Sequence, residues 1–386
     1  MTDWSGRRVI EGIAAELIDR LPAGAVAGPP RADWGSADAA TAAYWKERTA
    51  AFHGIVAWSP TIDPESLKLL SQELVIGAGA HLVLHAWAST PVIDEDGRVG
   101  GIVFESKEGR LAIRAKVTID CTGDGDIFYR AGAVSDSDID ERDIHHCINT
   151  AWLFGGVDMP RWIAFKTGDP DGFKSFMERG RAACRGLFER PFVSWRDDVA
   201  LFMGPRLAGY SAVDVEDQTE VEIRSHRLMA QHLAIYREHA PGFASAYLML
   251  SAPQLGVRHA RRLVGVGRVT REDWSDGAPR PDEVGISPSL SLKFPILSVP
   301  YGCLVPRDID GLLVAGRQIS CDATSHSFLR EIPQCWLTGQ AAGAAAALAA
   351  AGKCEPRAVP TPALQALLLR QGVVLRQVDD MAAAAK

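Results

Sequence analysis

The stretch Val299–Ala351, VPYGCLVPRDIDGLLVAGRQISCDATSHSFLREIPQCWLTGQAAGAAAALAAA, constrains the fold more than any other part of the chain. An apolar strand, Leu312 to Ala315, runs into Gly316 and a polar loop. A segment dense in Gly and Ala then predicts a helix from near Thr338. Small side chains at a strand end and along a helix let backbone N–H groups and the positive end of a helix dipole approach an anion or a polar ring. That combination suits a dinucleotide ligand.

The rest of the chain sets the frame for such a site. With 386 residues and 47% hydrophobic content it can bury substantial cores, and two interleaved domains are expected. Forty-one basic side chains against 48 acidic ones give a formal charge of −7. No electrostatic footprint for nucleic acid or an anionic membrane results, so a small-molecule partner is expected. The seven cysteines are odd in number and lack CxxC pairing, which favours reduced thiols and a cytoplasmic protein. Met1 to Arg8 does not resemble a signal peptide. The Ala-rich segment near residue 341 is shorter and less apolar than the ~20 residues a membrane span needs.

Val9, Ile10, Ile13, Leu17 and Ile18 recur with helical period, predicting an amphipathic helix over 7–20 that ends at Pro22 and Gly24. Residues 22–62 read as loop-rich. A second helix is expected from Pro64 to Gly77, with Leu67, Leu69, Leu70, Leu74 and Val75 as its buried face. From His81 to Cys121 the pattern changes to short strands, LVLHAWA, GGIVFES, RLAIRA and VTIDC, with turns at 94–98 and 107–110. The last is nearly all apolar up to Asp120, as for a strand covered on both faces. It leads into Thr122, Gly123, Asp124, Gly125 and Asp126, which read either as an ordinary tight turn or as a place where backbone meets a ligand. Residues 150–298 differ in texture, with a helix expected over Gln218–His239 and loops rich in Pro and Gly. Trp152, Trp162 and Trp195 there line a pocket or pack a core, core packing being the default.

Three blocks in order, VTIDCTGDGDIFYRAGA (117–133), APQLGVRHARRLVGVGRVTREDW (252–274) and the stretch from 299 to 350, carry a resemblance. The sequence resembles the FAD-dependent oxidoreductase family of the glutathione-reductase-like flavoprotein superfamily, over about residues 7–352. The resemblance implies an α/β fold with an incomplete, discontinuous Rossmann-like FAD-binding domain and an inserted α+β substrate domain. The implied divisions are 1–149 and 299–352 for the FAD-binding parts, 150–298 for the insertion and 353–386 for a C-terminal helical extension. It also implies non-covalent FAD and hydride transfer between a small organic substrate and the flavin.

Carried over by position, Thr122, Gly123 and Asp124 belong to the turn at the adenine half of FAD. Ala315, Gly316 and Arg317 match the ribityl and pyrophosphate region, where a guanidinium can hold a phosphate bidentately. Gly339, Gln340, Ala341, Ala342 and Gly343 would place a helix N-terminus beside the flavin pyrimidine ring, its dipole favouring negative charge there. The family's opening strand, GxGxxG turn, helix and second strand have no counterpart in the 386 residues. Three explanations are expected: a partner polypeptide supplies the segment, the gene start is assigned too late, or the chain is a truncated product. The corresponding alternatives to an enzyme are a non-catalytic or accessory subunit of a homo- or hetero-oligomer, and a structural remnant without cofactor. An NAD-only dehydrogenase ranks lower, because the matched segments are flavin-side motifs.

Hydride transfer calls for a proton donor or acceptor and a supporting cation. His326 and Arg330, between the two flavin-facing elements, are the catalytic candidates. Their plainer readings are a loop histidine bonded to backbone, and an ion pair of Arg330 with Asp322 or Glu331. Arg258 occupies the family's motif position and is a third candidate, for the flavin or a carboxylate substrate. The plainer reading of the cluster Arg258, His259, Arg261 and Arg262 is a solvated or salt-bridged face, which is preferred for Arg262. His145, His146 and Cys147 lack a partner cluster, so no metal is expected. Cys121 and Cys335 read as small buried residues.

Overall fold

A computed structural model describes residues 1–136, 148–288, 292 and 296–376. The chain divides into two compact units, each assembled from separated stretches: Met1–Arg20, Leu69–Asp138 and His259–Lys386 in the first, Leu21–Lys68 and Ile139–Arg258 in the second. Among the described residues there are eleven α-helices and a set of small sheets of two to four strands.

The first unit is organised by one parallel pair. Thr118–Asp120 lies beside Leu312–Val314, with Leu312 opposite Thr118 and Val314 opposite Asp120. Leu312, Leu313 and Val314 are all buried, as a parallel strand covered by other layers must be. The helix Ile332–Gly352 packs on this pair through Ala341, Ala342 and Ala345, all fully buried. Their single methyl groups allow a close helix-to-sheet approach. A three-stranded antiparallel sheet, Trp87–Ile93, Val99–Ser106 and Gly109–Arg114, completes the layers near Thr118–Asp120. Its first hairpin closes where the Asp94 N–H donates to the Arg98 carbonyl at 2.9 Å, as the DEDGR turn predicts.

The glycine- and alanine-rich helix begins at Ile332, not near Thr338, because Pro333 falls in its first turn, where its missing N–H costs no bond. Gly339 to Gly343 therefore lie inside the helix rather than at its N-terminus. The first helix covers Ile13–Asp19 only. Gly12 stands at φ +66, and the Ile13 N–H donates to the Gln340 side chain at 3.0 Å, so a tertiary bond replaces the earlier helical turn. Val9 and Ile10 are buried without being helical.

The helix Pro64–Gly77 forms as predicted, yet none of its residues is buried, and Leu69 is 61% exposed. Periodicity reports a pattern, not the presence of a partner. Residues 82–86 are likewise not a strand; pairing starts at Trp87, and Leu82, Val83 and Leu84 are exposed. An apolar run without a neighbouring strand has nothing to bond its backbone, so its β propensity is not realised. Cys121, expected to be buried, is exposed just past its strand.

The second unit is built on the helix Val215–His239 and a four-stranded antiparallel sheet in the order Phe192–Val193, Val199–Phe202, Trp152–Gly155, Tyr247–Ser251. The Asp214 carboxylate caps the helix, accepting from the N–H groups of Glu216 and Asp217. The core between helix and sheet is aromatic. Trp152 stacks on Phe202 at 5.3 Å between centroids, and Phe188 on Tyr236 at 5.2 Å. Trp152 and Trp162 are thus core residues, while Trp195 is half-buried.

Candidate functional site

The two parallel strands of the first unit end side by side, and a buried carboxylate ties their loops together. Asp120 Oδ1 accepts from the Thr122 N–H and hydroxyl at 2.9 and 2.7 Å. Its other oxygen accepts from the N–H groups of Ile127 and Phe128 at 3.1 and 2.8 Å, at the start of the short helix Asp126–Arg130. From the neighbouring strand's loop, Gln318, fully buried, donates to the Asp120 carbonyl and carboxylate and accepts from the Gly125 N–H at 2.7 Å. The TGDGD turn is therefore held from within by charge-assisted bonds, which are stronger than neutral ones. The Thr122 hydroxyl also accepts from the Asp126 N–H at 3.0 Å and lies 3.5 Å from Gln318 Oε1.

Arg317 crosses between the same two loops. Its guanidinium donates to Asp124 at 2.7 Å and covers Gly123, where any Cβ would collide with it. Burial pushes the Asp124 carboxyl up, against the pull of Arg317. Ala315 is buried and donates its N–H to the Asp120 carbonyl at 3.0 Å. Gly316 follows at φ +89, a conformation suited to glycine, and donates its N–H to the Thr338 hydroxyl at 3.1 Å. That bond links the strand end to the helix Ile332–Gly352.

A groove of about 930 Å³ runs along this helix, with Gly339, Gln340 and Gly343 on its floor and Gly12, Cys335 and Leu367 among its walls. A Cβ at Gly339 or Gly343 would meet nothing within 4 Å. The four-residue spacing puts both on one helix face. Glycine inside a helix costs about 1 kcal/mol relative to alanine. Two such positions facing an open groove form a cradle where a flat ring or a phosphate can lie closer to backbone than any side chain would allow. The groove's residues therefore fit the ring or a phosphate of a cofactor such as FAD, while the strand-end residues 122–124 and 315–317 are not among those that line it. Ala341 and Ala342, by contrast, are turned to the core and buried. Burial also pushes the Cys335 thiol up to about 11, so it stands as a neutral thiol at the groove wall.

His326 lies on the short helix Ala323–Leu329, not in a loop, and is buried. Its ring meets that of His259 edge to face, 4.9 Å between centroids, and His259 is buried as well. Arg330 caps this helix and lies 3.4 Å from Glu331; Asp322 instead caps the helix and accepts from the Arg271 N–H. The buried Nε of Arg330 makes no hydrogen bond among the described residues. Arg258 follows the strand Gly256–Val257 and belongs to the second unit. Arg261 donates to the Asp124 carbonyl and pairs with Asp126, and Arg262 pairs with Asp136, as the salt-bridge reading of that segment expects. His145, His146 and Cys147 lie outside the described residues. Among the described residues no group of His, Cys, Asp and Glu could hold a metal ion, and no helix is long and apolar enough to cross a membrane.

The sequence does not single out Gln318, and it gives Asp120 and His259 other roles, a strand end and a salt-bridged or solvated face, where the structure ties Asp120 to the turn and buries His259 against His326. Asp120 had a signal, an acid closing an otherwise apolar strand. Buried carboxylates require partners. Gln318 carries no such signal, and the basic segment around His259 does not reveal its contact, since both roles depend on which loop lies opposite.

A direct comparison with curated proteins finds no match. The sequence profile of the family described as FAD dependent oxidoreductase, by contrast, matches residues 1–289 and 292–368. The match takes in the Asp120–Gln318 crossing, the Gly316 turn and the glycine-lined groove alike, and with that coverage the chain belongs to the FAD dependent oxidoreductase family, whose cofactor is FAD.

Proposed function

We propose that this chain carries the flavin site of an oxidoreductase acting on a small organic molecule, on a discontinuous Rossmann-like unit with the remaining residues forming a substrate-facing domain. The observation that carries this reading is the pairing of the tied strand ends with the Gly339–Gly343 cradle in one compact unit. FAD supplies the acceptor or donor of a hydride. The protein's residues bind, orient and handle protons around it.

In this reading Thr122, Gly123 and Asp124 receive the adenine half, held rigid by Asp120. Arg317 exchanges Asp124 for a phosphate, using the same planar fork. Ala315 and Gly316 bring backbone to the ribityl and pyrophosphate region. Gln340 fixes the N-terminal segment through Ile13, while Gly339 and Gly343 give the ring close access to the helix. His326 takes or returns the substrate's proton, with His259 setting its ring orientation. Arg330 and Arg258 anchor anionic groups. The test is anaerobic bleaching of bound flavin by reduced candidate substrates. His326→Gln is expected to slow bleaching while leaving FAD affinity unchanged; an unchanged rate removes His326 from this role.

A second reading has its own support. The exposed apolar positions Leu69, Ile76, Leu84 and Trp87 offer surface that a partner polypeptide could cover, consistent with an accessory or incomplete subunit. Sedimentation of the purified chain with and without FAD decides between them. A monomer that binds FAD stoichiometrically excludes the need for a partner.

A further inference from the structure

We infer that residues 367–376 form a working wall of the groove along the helix Ile332–Gly352, and that the buried Glu283 is the positioning residue of that wall, acting through Arg376. The groove's meaning as a flavin site rests on the proposed function, but the placing of its wall can be measured without cofactor.

Two stretches distant in sequence line the groove, Gly12, Ile13 and Glu16 in one and Leu367, Gln371 and Gly372 in the other. One side chain on the floor holds both. Gln340 Oε1 accepts from the Ile13 N–H at 3.0 Å, and its Nε2 donates to Gln371 Oε1 at 3.2 Å. Only the oxygen of an amide can accept from a backbone N–H, so the first bond fixes the direction of the second. The two stretches also meet directly: a Cβ at Gly372 would lie 3.8 Å from the Gly12 Cα, and one at Gly12 would collide with the Gln340 amide. Gln340 is only 6% exposed, so both bonds are shielded from bulk water.

The second stretch is fixed from its far side as well. The helix Thr361–Arg370 closes on Gly372 at φ +81, and the N–H groups of Gly372 and Val373 return to the carbonyls of Leu369 and Leu368 at 3.0 Å. Val373 and Leu375 then enter the core, and Arg376 meets Glu283. Glu283 is fully buried on the strand Glu283–Ser287. Its carboxylate accepts from the Arg376 N–H at 2.6 Å, from Arg376 Nε at 3.4 Å and from the Ser298 hydroxyl at 2.5 Å. The guanidinium also donates to the carbonyls of Gly277 and Ile296 at 2.6 and 3.0 Å. An apolar face is enough to dock a surface helix. A buried carboxylate aimed at one residue beyond that helix adds a desolvation cost, offset only while Arg376 keeps this geometry. Residues 372–375 alone separate the Arg376 lock from the Gln371 bond, so the first sets where the second stands.

The test is hydrogen exchange of the full chain without cofactor, read peptide by peptide, beside FAD titration of the same samples. Glu283→Gln is expected to raise exchange about tenfold over 367–373 and also over 11–16, which Glu283 does not touch, while 118–120 and 312–314 stay protected. Its FAD affinity should fall about fivefold. Arg376→Lys keeps Glu283 paired but loses the planar fork; it should fold and show the same pattern at smaller amplitude. Gln340→Leu should loosen the same two stretches, and joining it to Glu283→Gln should add less than the sum of the two losses. Glu105→Gln, an equal change of charge at the exposed pair with Arg110, should alter neither readout. Faster exchange throughout the first unit, or none over 367–373 in both Glu283→Gln and Arg376→Lys, overturns the inference, as does undiminished FAD affinity in a variant whose wall exchanges faster. A parent that binds no FAD defeats the flavin reading alone, and the exchange pattern then decides whether Glu283 places the wall.

Discussion

The two units bury polar groups to different ends. In the first, Asp120 and Gln318 direct their bonds at backbone N–H groups of the 122–128 turn, so two side chains hold an entire loop in one shape. In the second, His232 and Tyr236 sit in an aromatic core and reach a single backbone segment at Glu189. The first arrangement makes loop geometry depend on a carboxylate; the second makes it depend on core packing. Damage to the first should cost binding before stability, and damage to the second the reverse.

Truncating the aromatic core should have the largest effect on stability. Trp152→Ala is expected to destabilise the second unit by about 3–5 kcal/mol, read from urea denaturation. Spectroscopic loss of the first unit at the same urea concentration would show that the units do not melt separately. Next comes pH. Burial lowers the pKa of His232 from 6.5 to about 4, so the folded ring is neutral while the unfolded one binds a proton. Its contribution is fully present above about 6.5 and is lost as pH falls toward about 4, by roughly 3 kcal/mol at 1.36 kcal/mol per unit. His232→Gln should flatten that part of the pH–stability curve; an unchanged slope would assign it to another group.

Asp120→Asn should cost about 2 kcal/mol, since one acceptor oxygen facing two backbone N–H groups becomes a donor. FAD affinity should fall with it, and a variant that loses stability but binds FAD normally would break the contrast between the units. The smallest change is Gly339→Ala. The helix should gain about 1 kcal/mol while FAD binding weakens, a divergence that a purely structural glycine would not produce.

What the sequence made legible were local features with a chemical cause. The Leu312–Val314 strand, the hairpin at Asp94–Arg98 and the helix Pro64–Gly77 all follow from pattern and turn chemistry. The glycine-rich segment was recognisable, but its helix start was not, because Pro333 reads as a breaker and only position in the first turn makes it harmless. The run 82–86 kept its apolar pattern and lost its strand for want of a neighbour, which no local signal reveals. Gln318 and His259 acquired their roles from residues 198 and 67 positions away, Asp120 and His326, and such pairings are set by the fold.

On the proposed function, the tied strand ends and the glycine cradle together hold FAD. Titration of the purified chain with FAD, followed by quenching of flavin fluorescence, tests it directly when run beside Gly339→Leu. Saturable binding of one FAD per chain is expected, weakened about tenfold or more in the variant while its circular dichroism and melting stay at or above those of the parent. Absence of binding by the folded parent, or equal binding by Gly339→Leu, would contradict it.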